Sequence, residues 1–229
     1  MKKILILEDE ASIRSFIVLN LRRSGYEPIE AETGAEALEQ IRQNPDISLA
    51  VLDVMLPDID GFEVCRRIRA TDSKMGIIML TARSQEIDKV TGLMTGADDY
   101  VTKPLTSIAE FTARIDALYR RVGGEESDGG SETVRGIFRL NTRSRTLEKN
   151  GQRVRLTQVE YAIVKLFMDN PGKAMSREEI LAAVWGDDYD GETKVVDVNI
   201  RRLRIKIEDD PTNPEYITTV WGHGYKWGF

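Results

Sequence analysis

Short apolar runs alternate with segments of helical period through the first half of this 229-residue chain. Runs such as Ile4–Leu7 and Leu49–Leu52 have the length of buried strands, and the segments between the runs repeat apolar residues every three or four positions. Strand–helix alternation needs right-handed crossovers, which place helices on both faces of a parallel sheet. The sequence therefore predicts an α/β fold, a doubly wound five-stranded parallel sheet with five helices and with strands at 4–7, 26–31, 49–54, 77–81 and 99–102.

Polar side chains lie where these predicted strands end. Glu8 and Asp9 follow the first run, Asp53 ends the third, Thr81 ends the fourth, and Lys103 follows the fifth. The carboxyl ends of parallel strands share one edge of the sheet, which is where such folds bind ligands. Three carboxylates at one edge repel one another unless a cation or a shared proton lies among them, and hard oxygen ligands favour Mg²⁺. We therefore predict a magnesium site at this edge.

The same edge has the groups that phosphoryl transfer needs. A carboxylate nucleophile such as Asp53 requires neutralisation of the incoming phosphoryl charge, which a bound metal and Lys103 supply. The Thr81 hydroxyl is suited to contact a phosphoryl oxygen, so it can both stabilise the group and sense its presence. Tyr100, three residues before Lys103, is suited to follow Thr81 by moving between exposed and inward positions.

An aspartyl phosphatase is a competing interpretation. Dehalogenase-type phosphatases use two acids spaced as Asp58 and Asp60 are, with the first as the nucleophile. Those acids should directly follow a strand, whereas Leu56-Pro57 intervenes here, and the mechanism leaves Asp53 without a task. The local sequence instead favours a turn residue at Asp58 and a helix N-cap at Asp60.

A glycine-, serine- and acid-rich segment divides the chain. Residues 123–132 contain no apolar side chain, so they cannot contribute to a core. We therefore predict a flexible linker at 123–132, a first domain at 1–122 and a second at 133–229, each long enough to bury its own core.

The second domain has a different pattern from the first. Short alternating strands surround the hairpin signal Asn150-Gly151, and capping boxes at Thr157–Glu160 and Ser176–Glu179 open two helices. A third helix at 193–208 and a terminal hairpin at 216–227 follow. This order predicts an α+β winged helix-turn-helix domain.

Charge is distributed unevenly between the two domains. Residues 1–122 contain 16 basic and 20 acidic residues, a net charge of −4, whereas residues 133–229 contain 16 basic and 14 acidic residues, a net charge of +2. The helix at 193–208 concentrates these cations. Such a helix fits the major groove, where arginine reads guanine, asparagine reads adenine and nearby cations contact phosphates. We predict that it binds DNA and that Arg201→Ala and Arg202→Ala weaken binding; a solvated basic face is the alternative.

The composition is typical of a cytosolic protein. No apolar stretch approaches the roughly 20 residues of a membrane-spanning helix, and the N-terminus lacks a signal-type segment, so no membrane partner is expected. Cys65 is the single cysteine, which excludes an internal disulfide. Its expected role is packing between Val64 and Ile68.

The first 120 residues resemble the receiver domain of two-component response regulators. The matching motifs, in order, are Glu8-Asp9, Asp53 with Met55-Leu56-Pro57, Asp60-Gly61, Thr81-Ala82 and Lys103-Pro104. The resemblance implies a flavodoxin-like sheet, a sensor histidine kinase as phosphodonor and Asp53 as the phosphorylation site. It implies that Mg²⁺ is held by Glu8, Asp9, Asp53 and the carbonyl of Met55. It further implies a cis Lys103–Pro104 bond and a switch formed by Thr81, Tyr100 and Lys103.

Residues 133–229 resemble the effector domain of the OmpR/PhoB subfamily. The matching motifs are Leu156-Thr157-x-x-Glu160, Val184-Trp185-Gly186, the run from Val196 to Arg204, and Gly222-x-Gly224-Tyr225. The resemblance implies promoter DNA with repeated half-sites as one partner, and RNA polymerase as another through the loop 186–192. The candidate DNA-binding residues are Lys194, Asn199, Arg201, Arg202, Arg204, Trp221 and Tyr225.

The predicted terminal hairpin at 216–227 is the wing of this domain. It departs from the subfamily pattern at its tip. Trp221 stands where the subfamily usually has an arginine, and His223 replaces a small apolar residue. Two roles are therefore open for Trp221, contact with DNA or packing against the wing.

Dimerisation on phosphorylation is also implied by the resemblance. The implied homodimer interface consists of the fourth helix, fifth strand and fifth helix of the receiver. Its candidate cross-interface pairs are Lys89 with Glu110 and Asp98 with Arg114. Exposed ion pairs contribute little free energy each, so these pairs are expected to orient the two subunits.

Taken together, these inferences favour a phosphorylation-dependent transcription regulator whose output is DNA binding rather than catalysis. A DNA-binding regulator that works without phosphorylation is the non-enzymatic alternative. A beryllofluoride–magnesium mimic of the phosphoryl group distinguishes the two, because only the first should change its oligomeric state.

Overall fold

The computed structural model describes residues 2–72, 74–82, 95–123, 132–187, 189 and 191–228. The chain forms two compact units, Met1–Val122 and Gly123–Phe229. Most of the predicted linker, residues 124–131, lies outside the described residues.

The first unit is built on a five-stranded sheet in which every neighbouring pair of strands is parallel. The strand order is β2-β1-β3-β4-β5, the flavodoxin-like arrangement. Its strands are β1 (Lys2–Leu7), β2 (Tyr26–Ala31), β3 (Leu49–Asp53), β4 (Gly76–Ala82) and β5 (Asp99–Lys103). Its described helices are α1 (Ala11–Arg23), α2 (Gly34–Gln43), α3 (Gly61–Thr71) and α4 (Ile108–Gly123). The predicted doubly wound sheet is confirmed, while the helix expected between β4 and β5 falls largely on residues 83–94, outside the described residues.

The core of this unit consists of the apolar runs that predicted its strands. Ile4–Leu7, Leu49–Leu52 and Ile77–Leu80 are buried, as expected for central strands covered on both faces. Cys65 is also buried, which confirms its predicted packing role. The predicted cis bond between Lys103 and Pro104 is present.

The described residues of the second unit form two antiparallel sheets and three helices. A meander of β6 (Glu132–Arg135), β7 (Phe138–Asn141), β8 (Thr146–Lys149) and β9 (Gln152–Val154) comes first. The helices α5 (Gln158–Asp169), α6 (Arg177–Trp185) and α7 (Lys194–Ile207) follow. The hairpin of β11 (Ile217–Val220) and β12 (Gly224–Trp227) is joined by the short strand β10 (Met175–Ser176).

The predicted winged-helix fold of this unit is confirmed. Sequence signals that span only a few residues account for most of the positions at which its helices and strands begin and end. Both capping boxes are formed, by Thr157 with Glu160 and by Ser176 with Glu179. Two short strands, β6 and β10, were not predicted. Glu132, which the sequence placed in the linker, is instead paired with Asn141 in the meander. A two-residue strand such as β10 has too few residues for a periodic signal, so only its partner strand reveals it.

No helix among the described residues combines the length and the apolarity needed to cross a membrane.

Candidate functional site

The sheet register brings the strand-end residues of the first unit to one edge. Leu7, just before Glu8, is level with Leu52, just before Asp53. Asp53 is level with Leu80, and Ala82 is level with Lys103. Because all five strands are parallel, the polar groups that follow them converge at the carboxyl edge.

Three carboxylates form a cluster there. One carboxylate oxygen from each of Glu8, Asp9 and Asp53 lies within 4.8 Å of the others. Glu8 and Asp53 are buried, whereas Asp9 is exposed. The backbone N–H of Met55 donates to Asp53 Oδ1 at 3.4 Å, so the loop after β3 is folded against the same acid. A set of hard oxygen donors with one side open to solvent fits the ligand preference of Mg²⁺.

Lys103 bridges two of these acids. Its Nζ lies 2.6 Å from Glu8 Oε2 and 2.7 Å from Asp53 Oδ2. Burial alone would lower the pKa of Lys103, but its hydrogen bonds to the two carboxylates outweigh burial, so its pKa lies above the ordinary value. Burial raises the pKa of Glu8, and the charge of Asp53 adds to this increase while Lys103 opposes it. A fixed cation therefore lies beside the predicted nucleophile.

The two predicted switch residues lie in the neighbouring strands. Thr81 in β4 and Tyr100 in β5 are both buried. Thr81 is one residue beyond Leu80, the residue level with Asp53, and it is paired with Thr102 of β5. Of the two positions considered for Tyr100, this structure has the inward one.

Sequence reasoning missed Arg14, which supports the turn carrying the acid pair. The buried guanidinium donates to the carbonyl oxygens of Glu8 at 2.8 Å and Asp9 at 3.3 Å, and it pairs with Glu32 at 2.5 Å. The only sequence signal was its place on the buried face of α1, between Ile13 and Ile17. A charge at such a position predicts a buried partner, but it does not say which one.

Asp58 and Asp60 have structural tasks that conflict with the phosphatase interpretation. Asp58 accepts hydrogen bonds at 2.9 Å from the backbone N–H groups of both Gly34 and Ala35, at the start of α2. These bonds lower the pKa of Asp58. Asp60 caps α3 by accepting from the Glu63 N–H at 2.7 Å, as predicted. The two acids thus bind the ends of two different helices.

In the second unit, the predicted DNA-binding residues on α7 differ in burial. Lys194 and Arg201 are exposed, as expected for DNA contacts. Asn199 has an exposed fraction of 0% and donates to the Val195 carbonyl, while Arg202 is 5% exposed and pairs with Glu160 at 2.9 Å. The predictions that Asn199 and Arg202 contact DNA are therefore wrong for this conformation, because burial removes both side chains from the surface.

Two further residues that were predicted to contact DNA instead hold the wing against α7. Arg204 donates through Nε and Nη2 to the Ile217 carbonyl, at 2.9 and 2.7 Å. The Tyr225 hydroxyl donates to Asp197 Oδ1 at 2.6 Å, and the side chain is 6% exposed. Burial, followed by the hydrogen bond to Asp197, raises the pKa of Tyr225 to about 12. The prediction of direct DNA contact is wrong for Tyr225, and Arg204 is half-buried in a supporting role.

Two residues of this region, Arg177 and Ile205, were not among the predicted DNA-binding residues. The Arg177 Nε lies 2.7 Å from Asp197 Oδ1, and its guanidinium lies 5.0 Å from the centre of the Tyr225 ring. Ile205 is exposed on α7, one helical turn after Arg201. Trp221 is 91% exposed, so the alternative that it packs against the wing is wrong.

The predicted dimer pairs have partners within the same chain. Asp98 has an exposed fraction of 0%, pairs with Arg69 at 2.6 Å and accepts from the Ile77 N–H. Arg114 pairs with Glu110 at 2.7 Å and with Asp99 at 3.3 Å. The prediction of an Asp98–Arg114 pair between subunits is therefore wrong for this conformation. Lys89 lies outside the described residues, as do residues 188 and 190 of the predicted polymerase loop.

Comparison with known proteins identifies both units. Residues 4–116 match the family described as "Response regulator receiver domain", and residues 151–227 match "Transcriptional regulatory protein, C terminal". Transcriptional regulatory protein AfsQ1 of Streptomyces coelicolor is 44% identical over 227 residues, which cover 99% of this chain and 98% of the relative. Sensory transduction protein RegX3 of Mycolicibacterium smegmatis is 42% identical over 230 residues, with 99% of each chain covered.

Solved structures agree with this assignment. A mutant of RitR has a TM-score of 0.78 at 30% identity, with 99% of each chain covered. Response regulator DrrB, a Thermotoga maritima OmpR/PhoB homologue, has a TM-score of 0.51 at 34% identity over the full length of both chains. The relatives are transcriptional response regulators rather than enzymes, which agrees with the helix-capping roles of Asp58 and Asp60. The chain belongs to the two-component response regulators of the OmpR/PhoB type, which join a receiver domain to a winged-helix DNA-binding domain.

Proposed function

We propose that this response regulator accepts a phosphoryl group on Asp53 from the phosphohistidine of a sensor kinase, and that it then binds repeated DNA half-sites as a dimer. The carrying observation is the strand-end cluster, in which the Lys103 ammonium lies 2.7 Å from Asp53 beside two further carboxylates. A carboxylate suited to act as a nucleophile, a cation beside it and further oxygens suited to bind a metal support this proposal.

The transfer step uses groups that already lie together at the edge of the sheet. An Asp53 carboxylate oxygen attacks phosphorus, the phosphorus–nitrogen bond of phosphohistidine breaks, and the leaving imidazole keeps the electron pair. Mg²⁺ held by Glu8, Asp9, Asp53 and the carbonyl of Met55 supplies Lewis-acid stabilisation of the phosphoryl oxygens when it is bound. Lys103, whose raised pKa keeps it protonated, neutralises the remaining charge.

The signal then passes to the neighbouring strands. The Thr81 hydroxyl donates to a phosphoryl oxygen, and Tyr100 keeps the inward position that it has in this structure. Both side chains are buried in the neighbouring strands β4 and β5, so a shift of Thr81 is passed to β5 through the packed core. The resemblance to the family supports dimerisation through the predicted fourth helix, β5 and the predicted fifth helix, which is α4 (Ile108–Gly123) and carries Glu110 and Arg114.

DNA binding is the proposed output. Helix α7 presents Lys194 and Arg201 to solvent, which suits it for the major groove, while Arg204 and Tyr225 hold the wing in place. Promoter DNA and RNA polymerase are the proposed partners, the second through the loop 186–192.

Acetyl phosphate with Mg²⁺ tests the proposal on the full chain. We expect a labile adduct mapped to Asp53, tighter binding to genomic DNA fragments after phosphorylation, and loss of both effects with Asp53→Asn or with EDTA. Asp58→Asn is the matched control and should still be phosphorylated. Absence of an adduct on Asp53 would falsify the proposed signalling. Equal DNA binding before and after phosphorylation indicates a phosphorylation-independent regulator, and steady phosphate-ester turnover abolished only by Asp58→Asn indicates a phosphatase.

A further inference from the structure

Arg14 is a buried cation that the proposed phosphoryl transfer does not use. It lies in α1 with an exposed fraction of 8%, and its Nη1 donates to the carbonyl oxygens of Glu8 at 2.8 Å and Asp9 at 3.3 Å. These carbonyls belong to the residues whose carboxylates form the acid cluster with Asp53. Burying a charge is unfavourable unless hydrogen bonds compensate for the lost water, so the guanidinium and this turn of the backbone hold each other in place.

The other edge of the guanidinium is bound to the strand beside β1. Its Nη2 pairs with Glu32 at 2.5 Å, and its Nε lies 3.6 Å from a carboxylate oxygen of Glu30. The backbone makes a parallel connection, because the Glu8 N–H donates to the Ala31 carbonyl at 3.2 Å. Arg14 therefore joins the turn after β1 to the end of β2, a strand that contributes no residue to the acid cluster.

The position of this turn decides where the two carboxylates lie. Each carbonyl that Arg14 binds is attached to the same Cα as a carboxylate side chain, so a shift of the backbone moves the carboxylate too. The Glu8 carboxylate has a second restraint in Lys103 at 2.6 Å, whereas the Asp9 carboxylate is exposed and is positioned by its backbone. Mg²⁺ requires near-octahedral ligands at about 2.0–2.1 Å, so it tolerates little displacement of either carboxylate.

We propose that Arg14 is a positioning residue of the magnesium site, and that its hydrogen bonds to the Glu8 and Asp9 carbonyls keep both carboxylates where one Mg²⁺ can use them. The inference rests on the proposed function, in which Glu8 and Asp9 bind the metal. Arg14 acts through these two residues and touches neither the metal nor the phosphoryl group.

Charge and positioning predict opposite effects when Arg14 is replaced by a neutral residue. A fixed cation near the acid cluster repels Mg²⁺, so its removal should strengthen metal binding if charge were its main effect. Loss of the hydrogen bonds to the turn should weaken metal binding, because the carboxylates are no longer held in place. The sign of the change in Mg²⁺ affinity therefore distinguishes the two roles.

Calorimetric titration of the full chain with Mg²⁺ measures this sign. We expect Arg14→Gln to raise the Kd for Mg²⁺ about tenfold, the lower end of the range for groups that orient a metal ligand. Arg14→Lys keeps the charge but lacks the planar fork that binds the turn and Glu32 together, so it should also raise the Kd. Arg22→Gln, the same substitution at an exposed position of α1, is the matched control and should leave the Kd unchanged.

The Mg²⁺ dependence of phosphorylation gives a second readout. With acetyl phosphate as donor, Arg14→Gln should need about tenfold more Mg²⁺ for the half-maximal rate of Asp53 phosphorylation. Its rate at saturating Mg²⁺ should stay near that of wild type, because Arg14 binds the acid-pair turn rather than Asp53 or Lys103. A merely structural role predicts the reverse, a lower rate at every Mg²⁺ concentration. Thermal unfolding shows whether each variant is folded at the assay temperature, and Arg14→Lys carries the test if Arg14→Gln is not.

The outcomes separate this inference from the function on which it rests. Equal or tighter Mg²⁺ binding by the folded Arg14 variants overturns the inference, as does a loss of rate that saturating Mg²⁺ does not restore. In either case, wild-type binding of Mg²⁺ and phosphorylation of Asp53 leave the proposed function intact. If the wild-type chain itself binds no Mg²⁺ and forms no adduct on Asp53, the proposed function fails together with the inference.

Discussion

At the scale of single residues, burial decides which charges can act on a ligand. Arg201 and Arg202 are adjacent and chemically identical, but one is exposed and the other pairs with the buried Glu160 at 2.9 Å. Only 100° of helical rotation separates them. The same principle separates Asp98, which is bound to Arg69 in the interior, from the exposed Asp9 of the acid cluster.

Substitution of Arg201 should therefore affect DNA binding, whereas substitution of Arg202 should affect stability. Arg201→Ala should weaken DNA binding and reduce the salt slope by about one unit, with little change in the free energy of unfolding. Arg202→Ala should lower that free energy by about 3 kcal/mol, because it removes one partner of a buried ion pair. Salt-dependent binding and urea unfolding followed by tryptophan fluorescence measure the two effects. A reduced salt slope with unchanged stability for Arg202→Ala would contradict its buried position.

Asp98 should behave as a core residue rather than as an interface residue. Asp98→Asn should lower the free energy of unfolding of the receiver by about 3 kcal/mol, because Arg69 then lacks a charged partner in the interior. Calorimetry of the full chain measures this effect. All three tryptophans lie in the second unit, so their fluorescence identifies its separate transition.

The control for this substitution is Asp46→Asn. It breaks the exposed ion pair with Lys3, 2.9 Å long, and should change stability far less than Asp98→Asn does, because solvent screens an exposed pair. Equal effects of the two substitutions would mean that burial does not govern the role of Asp98.

At the scale of secondary-structure elements, one carboxylate joins the first and last helices of the winged-helix unit. Glu160 caps α5 by accepting from the Thr157 N–H, and it pairs with Arg202 and Lys206 of α7. Burial alone would raise the pKa of Glu160, but the two cations and the backbone hydrogen bond outweigh burial and lower it. The capping box, a local signal, thus also positions the proposed recognition helix.

The sign of this shift predicts how acid affects the second unit. Glu160 contributes stability that is fully present above its ordinary pKa of 4.5 and is lost as the pH falls through the lower folded-state pKa. Glu160→Gln should therefore unfold more easily than wild type by about 3 kcal/mol at neutral pH, with the difference shrinking below pH 4.5. Urea unfolding at a series of pH values, followed by tryptophan fluorescence, measures this difference.

Glu215→Gln is the matched control, because Glu215 is an exposed carboxylate of the same unit. It should leave the free energy of unfolding at neutral pH nearly unchanged, because it alters a surface side chain. A Glu160→Gln deficit that stays constant into acid would mean that the titration of Glu160 is not linked to folding.

At the scale of the whole molecule, phosphorylation in one unit has to alter DNA binding by the other. Each unit has its own core, so the simplest coupling is a change in oligomeric state that raises the effective concentration of two DNA-binding units. We expect beryllofluoride with Mg²⁺ to convert a monomer to a dimer in sedimentation velocity, and Asp53→Asn to abolish the change. A monomer that persists with the mimic, yet binds DNA equally well, favours regulation without phosphorylation.

Much of the architecture follows from patterns that are local in sequence. Apolar runs, strand–helix alternation, the Asn150-Gly151 turn and both capping boxes each involve neighbours within a few residues, so period and spacing are sufficient to identify them. The convergence of Glu8, Asp9, Asp53 and Lys103 was also predictable, because parallel topology brings strand ends to one edge.

Tertiary structure alone decided the partner of each buried charge and the exposure of each side chain on α7 and the wing. Arg14, Asp98, Asn199 and Arg202 are polar in the sequence but interior in the fold, and Trp221 is apolar but exposed. The physical reason is that desolvation depends on atoms contributed by distant segments, such as Glu160 for Arg202, 42 positions apart along the chain. Sequence period indicates which face of a helix is favoured for burial, whereas only the assembled neighbours determine whether a charge can be neutralised there.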